Sequence, residues 1–380
     1  MKKVGIITIL KVNNFGAELQ AYATQKCMQN MGYDAEIIDY LYYKSKGHKP
    51  EKCSKPFFKY PIKNVLKEYF WVIRDKVVDI LYGTKRRARA EKFDNFHKSY
   101  TKFSAKRYKK FSELYNDAPR YDVYCVGSDQ VWNPRCYTNL SPYFLTFAPE
   151  GSTKMSYASS FGVSEIPQDA KEKYTECLNG LNTISVREQS GVELVKKLTG
   201  KDAALVCDPT LLLNRNDWMK VACAVENLPK RYVLIYELHP IKQVRTIAEQ
   251  LAKAEGIAVV RICKDALPIE KDGSVINLTT IGPSEFIYLF ANASVVITNS
   301  FHGTAFAVNF GVDFYTVLDR TLKNNSRQIG LLEKLDLKDR IKYSDERFET
   351  AEPIDQELLA EKLDSYRQSS LNYIKYAIGE

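Results

Sequence analysis

The sequence predicts an α/β protein made of two doubly wound, Rossmann-like halves. The chain opens with an apolar strand pattern at 4–9, helical spacing at 18–31 and a second apolar strand at 35–40, which together form a right-handed βαβ unit. Strand and helix patterns alternate again in the second half and end in the β-branched run 293–298. At 380 residues the chain is too long for one ordinary core. We therefore expect two domains of about 150–200 residues each, with a crevice between them.

The expected domains are an N-terminal Rossmann-like domain over residues 1–212, a C-terminal one over 213–355, and a C-terminal helix over 356–380. Residues 43–115 are rich in Lys, Tyr and Phe and carry helical spacing at 65–81 and 86–103. This composition favours a helical insertion that brings basic and aromatic side chains toward a substrate or a membrane. A solvated basic helix face with half-buried aromatic rings would have the same pattern.

The composition is that of a soluble globular protein, with 45% hydrophobic and 27% charged residues. Met1-Lys2-Lys3 leads straight into a strand pattern instead of a signal peptide, so we expect a cytoplasmic protein. Eight cysteines without a CxxC pair favour buried thiols over disulfides or zinc. The net charge of +9 suits anionic substrates or an anionic membrane face, or solubility alone. No nucleic-acid-binding motif is present.

The polar block Asn299–Thr304 lies between the strand pattern 293–298 and an apolar helical turn, where open α/β sheets bind ligands. Backbone N–H groups at a helix start attract anions, and Gly303 would allow an anion to approach closely. His302 adds a side chain that exchanges protons near neutral pH. The alternative is a histidine that only hydrogen-bonds inside a packed turn. No metal-ligand spacing surrounds His302, so we expect no metal.

Two polar loops follow predicted strands of the first half, at 13–17 and at 127–134. Both provide amides and small residues where a ligand would bind, and Trp132 could stack on a sugar. The alternatives are an ordinary turn with positive φ at 13–17, and helix capping with Trp132 packed in the core. Arg187 ends a further strand and could hold a carboxylate or phosphate, or form a structural ion pair.

Several of these segments resemble motifs of the polysaccharide pyruvyl transferase family. The resemblance rests on Ile6-Ile7-Thr8, Asn13–Ala17, Tyr121-Asp122, Val126–Asn133, Ser185–Glu188, Asp208–Thr210, Ser300–Thr304 and Ser326-Arg327 with Ile329–Leu332. It covers roughly residues 4–40 and 120–335, and the spaced motifs are jointly more specific than any one of them.

The resemblance implies a fold similar to GT-B glycosyltransferases, with two Rossmann-like domains facing across a cleft. It implies transfer of a pyruvyl group from phosphoenolpyruvate, a co-substrate rather than a cofactor, to two hydroxyls of a sugar as a cyclic ketal. His302 would be the catalytic histidine and would protonate C3 of the donor. The implied donor-binding residues are Arg187, Ser300, Phe301, Gly303, Thr304 and Arg327. Ser300 departs from family members that have an arginine there, so Arg327 is the expected replacement cation.

Neutral amides, one carboxylate and an indole suit sugar hydroxyls better than an anionic donor. The first half is therefore the expected acceptor side, through Asn13, Asn14, Gly16, Gly127, Ser128, Asp129, Gln130, Trp132 and Asn133. The expected acceptor is a lipid-linked or nucleotide-linked sugar of a cell-surface polysaccharide, and association with the inner membrane surface is a further expectation. Two other functions stay open: a GT-B-like glycosyltransferase using a sugar nucleotide, and a non-catalytic glycan-binding partner.

Overall fold

The computed structural model of the protein describes residues 1–51, 56–57, 62–136, 138–265, 273–322 and 325–380, without the side chains of 62–77. The chain divides into two compact units. Unit 1 comprises Met1–Lys76, His97–Leu212 and Tyr366–Glu380, and unit 2 comprises Val77–Phe96 and Leu213–Ser365. Among the described residues, no helix is both long and apolar enough to cross a membrane.

Unit 1 is built on a five-stranded sheet in the order β3-β2-β1-β4-β5, with every pair parallel. Its strands are β1 (Lys3–Ile7), β2 (Asp34–Tyr40), β3 (Phe103–Tyr108), β4 (Val123–Val126) and β5 (Thr153–Ser156). Two short strands, β6 (Ser185–Val186) and β7 (Ala204–Leu205), pair in parallel with each other. Isolated β-bridges, such as the one between Met155 and Thr183, connect them to the β5 side of the sheet. The strand order reverses between β1 and β4, and in such sheets ligands bind beside the carboxyl ends of the strands that flank this point.

The helices of the chain's first part are α1 (Phe15–Asn30), α2 (Ile62–Tyr100), α3 (Phe111–Asn116), α4 (Lys171–Asn179), α5 (Gln189–Thr199) and α6 (Pro209–Leu212). Short 3-10 turns lie at Ser141–Phe144 and Gln168–Ala170. Two helices were expected across residues 65–103. The structure has one run, α2, which is broken at Tyr82, where φ is −129°.

The sequence predicted helix up to residue 103 and an insertion up to residue 115. This prediction was wrong at its end, because residues 103–108 form the strand β3 of the unit 1 sheet. This edge strand pairs with β2, where the Asp39 amide donates to Ser104 Oγ at 3.0 Å and Arg107 Nε lies 2.8 Å from Asp39 Oδ2. Basic side chains on an exposed edge strand keep other chains from pairing with it, which is why the sequence lacks an apolar strand pattern there.

Unit 2 has a six-stranded, fully parallel sheet in the order β10-β9-β8-β11-β12-β13. Its strands are β8 (Tyr232–Tyr236), β9 (Ala258–Ile262), β10 (Val275–Leu278), β11 (Val295–Thr298), β12 (Asp313–Leu318) and β13 (Ile341–Tyr343). Its helices are α7 (Arg215–Met219), α8 (Lys242–Glu255), α9 (Pro283–Ala291), α10 (Phe301–Phe310) and α11 (Ser326–Lys334), with a 3-10 turn at Lys338–Arg340. The last helix, α12 (Gln356–Ile378), begins in unit 2 and belongs to unit 1 from Tyr366 onward. Two Rossmann-like α/β units with parallel sheets are thus confirmed.

Seven cysteines lie among the described residues, and all seven are free thiols. Five of them, Cys27, Cys125, Cys177, Cys207 and Cys263, are buried, whereas Cys223 is exposed. Cys53 lies outside the described residues. The expectation of free thiols is therefore confirmed for the cysteines that the structure describes.

Candidate active site

The turn between β11 and α10 is a tightly capped helix start. Ser300 is the N-cap, and its hydroxyl accepts from the Gly303 amide at 3.3 Å. The Ser300 amide donates to Thr298 Oγ1 at 3.0 Å, and Thr304 Oγ1 donates to the Ser300 carbonyl at 3.1 Å. These residues are buried, so the helix start is held rigidly on the end of β11.

Gly303 lies where the helix start packs against the strands beneath it. A Cβ at this position would lie 2.3 Å from Thr298 Oγ1 and 3.1 Å from Tyr236 Cδ1. Its amide is already bound to Ser300, and the missing side chain makes room for the two strands beneath it. The glycine therefore allows α10 to pack closely on β8 and β11, and the expected approach of an anion at Gly303 stays a prediction.

His302 lies in the first turn of α10 and is 9% exposed. Its ring lies edge-on to Phe301, with 5.3 Å between ring centroids. Arg327, on the first turn of α11, places its guanidinium carbon 5.8 Å from the centre of the same Phe301 ring. The structure thus brings Arg327 and His302 to one aromatic ring, while their roles toward the donor stay predictions.

Asn299 connects this turn to two neighbouring segments. Its side-chain oxygen accepts from the Leu238 amide at 2.8 Å, and its amide nitrogen donates to the His239 carbonyl at 2.7 Å. The Asn299 carbonyl accepts from Gln328 Nε2 at 3.2 Å. The sequence reasoning missed His239 and Gln328. The position of His239, three residues past the end of β8, was the one available signal.

In unit 1, the motif residues that follow β4, β6 and β7 meet at Asp208. Its carboxylate accepts from Arg187 Nη1 at 2.7 Å, from the Thr210 amide at 3.0 Å and hydroxyl at 2.7 Å, and from Ser128 Oγ at 3.3 Å. Asp129 Oδ1 lies 3.7 Å from Arg187 Nη2. Burial acts to lower the pKa of Arg187, but the charges of Asp208 and Asp129 outweigh it and raise the pKa.

The Arg187 side chain is 1% exposed, so the structure contains the ion pair that was the alternative for this residue. A direct contact between Arg187 and the donor stays a prediction. Next to it, Glu188 accepts from Ser160 Oγ at 2.7 Å and from the Phe161 amide at 3.1 Å. The family-like segments around Ser128, Arg187 and Asp208 thus share one buried polar network in unit 1.

Trp132 belongs to the core of unit 1. Its ring is 0% exposed, stacks on Phe144 at 5.3 Å between centroids, and donates from Nε1 to the Tyr143 carbonyl at 2.7 Å. Phe161 packs at 5.1 Å. The expectation that Trp132 presents a face to a sugar is corrected, because its ring packs against other aromatic rings and its polar atom is already bonded.

The other first-half candidates differ in exposure. Asn13 (φ 52°) and Asn14 are exposed in the loop before α1, and Asn14 caps that helix by accepting from the Ala17 amide at 3.3 Å. Gly127 packs against Thr8, Asp129 adopts φ 73°, and Gln130 accepts from Asn133 Nδ2 at 2.5 Å. Gly16 and Ser128 are buried. Asn13 and Asn14 are therefore the candidates most open to solvent.

A family model for polysaccharide pyruvyl transferase matches residues 14–319, which is most of the chain. The chain belongs to the polysaccharide pyruvyl transferase family. The match spans Asn14, Arg187 and His302 and ends ahead of Arg327. No curated protein matches the chain.

Solved structures similar to this family member include UDP-GlcNAc 2-epimerase from Neisseria meningitidis, with 10% identity, 99% of this chain and 93% of that chain covered, and a TM-score of 0.47. UDP-GlcNAc 2-epimerase from Methanocaldococcus jannaschii has 10% identity and a TM-score of 0.48, with 95% of this chain and 92% of that chain covered. The E. coli heptosyltransferase WaaC has 11% identity and a TM-score of 0.39, with 84% of this chain and 90% of that chain covered.

Proposed function

We propose that the protein transfers the pyruvyl group of phosphoenolpyruvate to two hydroxyls of a sugar in a cell-surface polysaccharide precursor. The family membership and the placement of His302 and Arg327 around Phe301 support this proposal. In the reaction, C3 of the enol gains a proton, C2 forms bonds to two sugar oxygens, and the bond from C2 to the phosphate oxygen breaks. Of the two hydroxyl protons, one balances the proton added at C3 and the other leaves with phosphate.

His302 is the proposed proton donor to C3, because it is the titratable side chain in the first turn of α10. General acid catalysis typically contributes about 10²–10⁴-fold, so donor positioning must supply much of the remaining acceleration. Arg327 is the proposed cation for the donor, with Ser300, Phe301, Gly303 and Thr304 shaping the turn. Acceptor binding by Asn13 and Asn14, with Asp129, Gln130 and their neighbours in unit 1, is part of the same proposal.

We place this reaction in the cytoplasm, at or near the membrane face where a lipid-linked acceptor would be located. The proposal includes no metal or organic cofactor. Among the described residues, no cluster of three His, Cys, Asp or Glu side chains has the arrangement of a metal site.

The experiment is incubation of the purified protein with phosphoenolpyruvate and candidate lipid-linked or nucleotide-linked sugars. Phosphate release together with a pyruvate-sized mass gain on the sugar is the expected result. His302→Gln should abolish both signals while the far-UV circular dichroism stays unchanged, because the proton donor is lost and the volume is nearly kept.

His48→Gln is the matched control, since it makes the same chemical change at a histidine outside the proposed site and should retain activity. Near-normal turnover in His302→Gln would remove the histidine from the mechanism. Sugar-nucleotide cleavage without phosphoenolpyruvate would favour the glycosyltransferase alternative, and sugar binding without any turnover would favour the glycan-binding one.

A further inference from the structure

Two residues that hydrogen-bond to Asn299 each have a buried polar side-chain atom that lacks a hydrogen-bond partner within the described part of the chain. The atoms are Gln328 Oε1 and His239 Nε2. Both residues hydrogen-bond to Asn299 through other atoms: Gln328 Nε2 donates to the Asn299 carbonyl, and the His239 carbonyl accepts from the Asn299 amide. Asn299 therefore links the Gln328 side chain to the loop that carries His239, directly before the turn that carries His302.

The Asn299 carbonyl shows which end of the Gln328 side-chain amide is the oxygen. The Asn299 carbonyl can only accept, so the Gln328 atom that faces it at 3.2 Å must be the NH₂ group. The unpartnered atom is then the amide oxygen, which needs a donor. Gln328 is 5% exposed, so bulk water does not solvate this oxygen as it would on the surface.

The His239 ring, on the loop that the Asn299 side chain holds, is a second neutral group. Burial, together with the positive charge of Lys264, lowers the pKa of His239 against the opposing effect of Asp319. The imidazole is therefore neutral at pH 7 and offers one donor and one acceptor nitrogen. Lys264 Nζ donates to the Leu238 carbonyl at 3.0 Å, which holds the same loop in place.

Phosphoenolpyruvate cannot satisfy the Gln328 oxygen, because its carboxylate and phosphate oxygens accept hydrogen bonds and near neutral pH it carries little else to donate. A sugar hydroxyl both donates and accepts, and it carries no charge that a buried site would have to neutralise. We propose that Asn299, Gln328 and His239 form a hydroxyl-binding subsite in unit 2 that holds a hydroxyl of the acceptor sugar. The identity of the ligand as the acceptor rests on the proposed function.

The test measures sugar and donor binding separately. Methyl galactoside, methyl glucoside and methyl mannoside are titrated into the full-length protein and followed by saturation-transfer NMR, and phosphoenolpyruvate binding is measured by calorimetry without sugar. Gln328→Met, which keeps the side-chain length, should weaken binding of the preferred glycoside about 3- to 10-fold, the value of one net hydrogen bond. Phosphoenolpyruvate affinity should stay within twofold.

Gln243→Met is the matched control. Gln243 also donates from its amide to a backbone carbonyl, that of Glu346 at 3.1 Å, but this bond is exposed. It should leave glycoside binding unchanged. His239→Phe, at a partly exposed position, provides a second variant if Gln328→Met does not fold, and it should weaken the same glycoside.

Three results would overturn the subsite: no glycoside binding by the wild type, unchanged glycoside binding in the folded variants, or an equal loss of glycoside and phosphoenolpyruvate affinity. Failure of the proposed function gives a different pattern, in which glycosides bind in a Gln328-dependent manner but phosphoenolpyruvate neither binds nor releases phosphate.

Discussion

Replacing Gly303 by alanine tests whether the close contact between α10 and the strands beneath it positions the candidate catalytic histidine. The new Cβ would lie 2.3 Å from Thr298 Oγ1, 3.0 Å from Thr298 Cβ and 3.1 Å from Tyr236 Cδ1, whereas ordinary contacts are 3.4–4 Å. Either the helix start moves by about 1 Å, or Thr298 rotates and gives up its bonds to the Tyr236 carbonyl and the Ser300 amide.

Overpacking of this kind costs about 1–3 kcal/mol, and a lost hydrogen bond adds about 1 kcal/mol. The better helix propensity of alanine offsets about 0.5–1 kcal/mol. We therefore expect Gly303→Ala to lower the free energy of unfolding by about 1–3 kcal/mol in urea denaturation. Because His302 is the preceding residue, a shift of about 1 Å should also lower kcat on the order of 10²-fold.

Gly330→Ala is the matched control for this measurement. Gly330 lies inside α11, and a Cβ there would meet nothing within 4 Å. This variant should gain about 0.5–1 kcal/mol from helix propensity and keep full activity. If Gly303→Ala and Gly330→Ala have the same stability and the same kcat, the helix start is not held by the contact described here.

Three further outcomes follow from the described contacts. Asp208→Asn should lower the free energy of unfolding by about 3–5 kcal/mol, because it removes the negative charge nearest to the buried Arg187 guanidinium. The control Asp202→Asn, at an exposed ion pair, should lower it by less than about 1 kcal/mol. Equal losses in the two variants would contradict the buried network. Trp132→Ala should destabilise the protein by about 3–5 kcal/mol and show no selective defect in acceptor affinity, measured by acceptor titration below the melting temperature. Burial lowers the pKa of His239, so the unfolded chain binds a proton at this residue before the folded chain does, and the free energy of unfolding falls as the pH drops below about 6.5. His239→Gln should make this fall less steep in urea titrations between about pH 5 and pH 7. An unaltered slope would exclude this contribution.

The sequence was most informative where strands are buried on both faces. The β8 strand, α8 and α9 have the alternation of strand and helix that is predicted for the second half, because a buried parallel strand and an amphipathic helix have distinct periods. The edge strand β3 was missed because three of its six residues are exposed and its sequence resembles a basic loop. The strands β10, β12 and β13 were also not predicted.

Local sequence located the polar motifs but not their partners. The strand-to-helix junction at 299–304 was predicted from the apolar run after it, whereas the cap that Ser300 makes on α10 is seen only in the structure. Ser128, Arg187 and Asp208 meet because the strands before them are neighbours in space, and no single sequence motif contains that information. Trp132 lies in a polar stretch of sequence, yet its ring fills the core, because tertiary packing decides where an isolated aromatic side chain goes.

The last residues of the chain complete unit 1, and this has a consequence for synthesis on the ribosome. Ser370 Oγ accepts from the Cys207 amide at 2.9 Å, the Tyr373 hydroxyl donates to the Ser156 carbonyl at 2.9 Å, and Ile374 is 0% exposed. On the ribosome, residues 213–365 must be translated before Tyr366 can join unit 1, which takes roughly 8–30 s at about 5–20 residues per second. During that interval the nascent unit 1 lacks the segment that covers Ser156 and Cys207, so we expect it to depend on chaperones until residues 366–380 emerge.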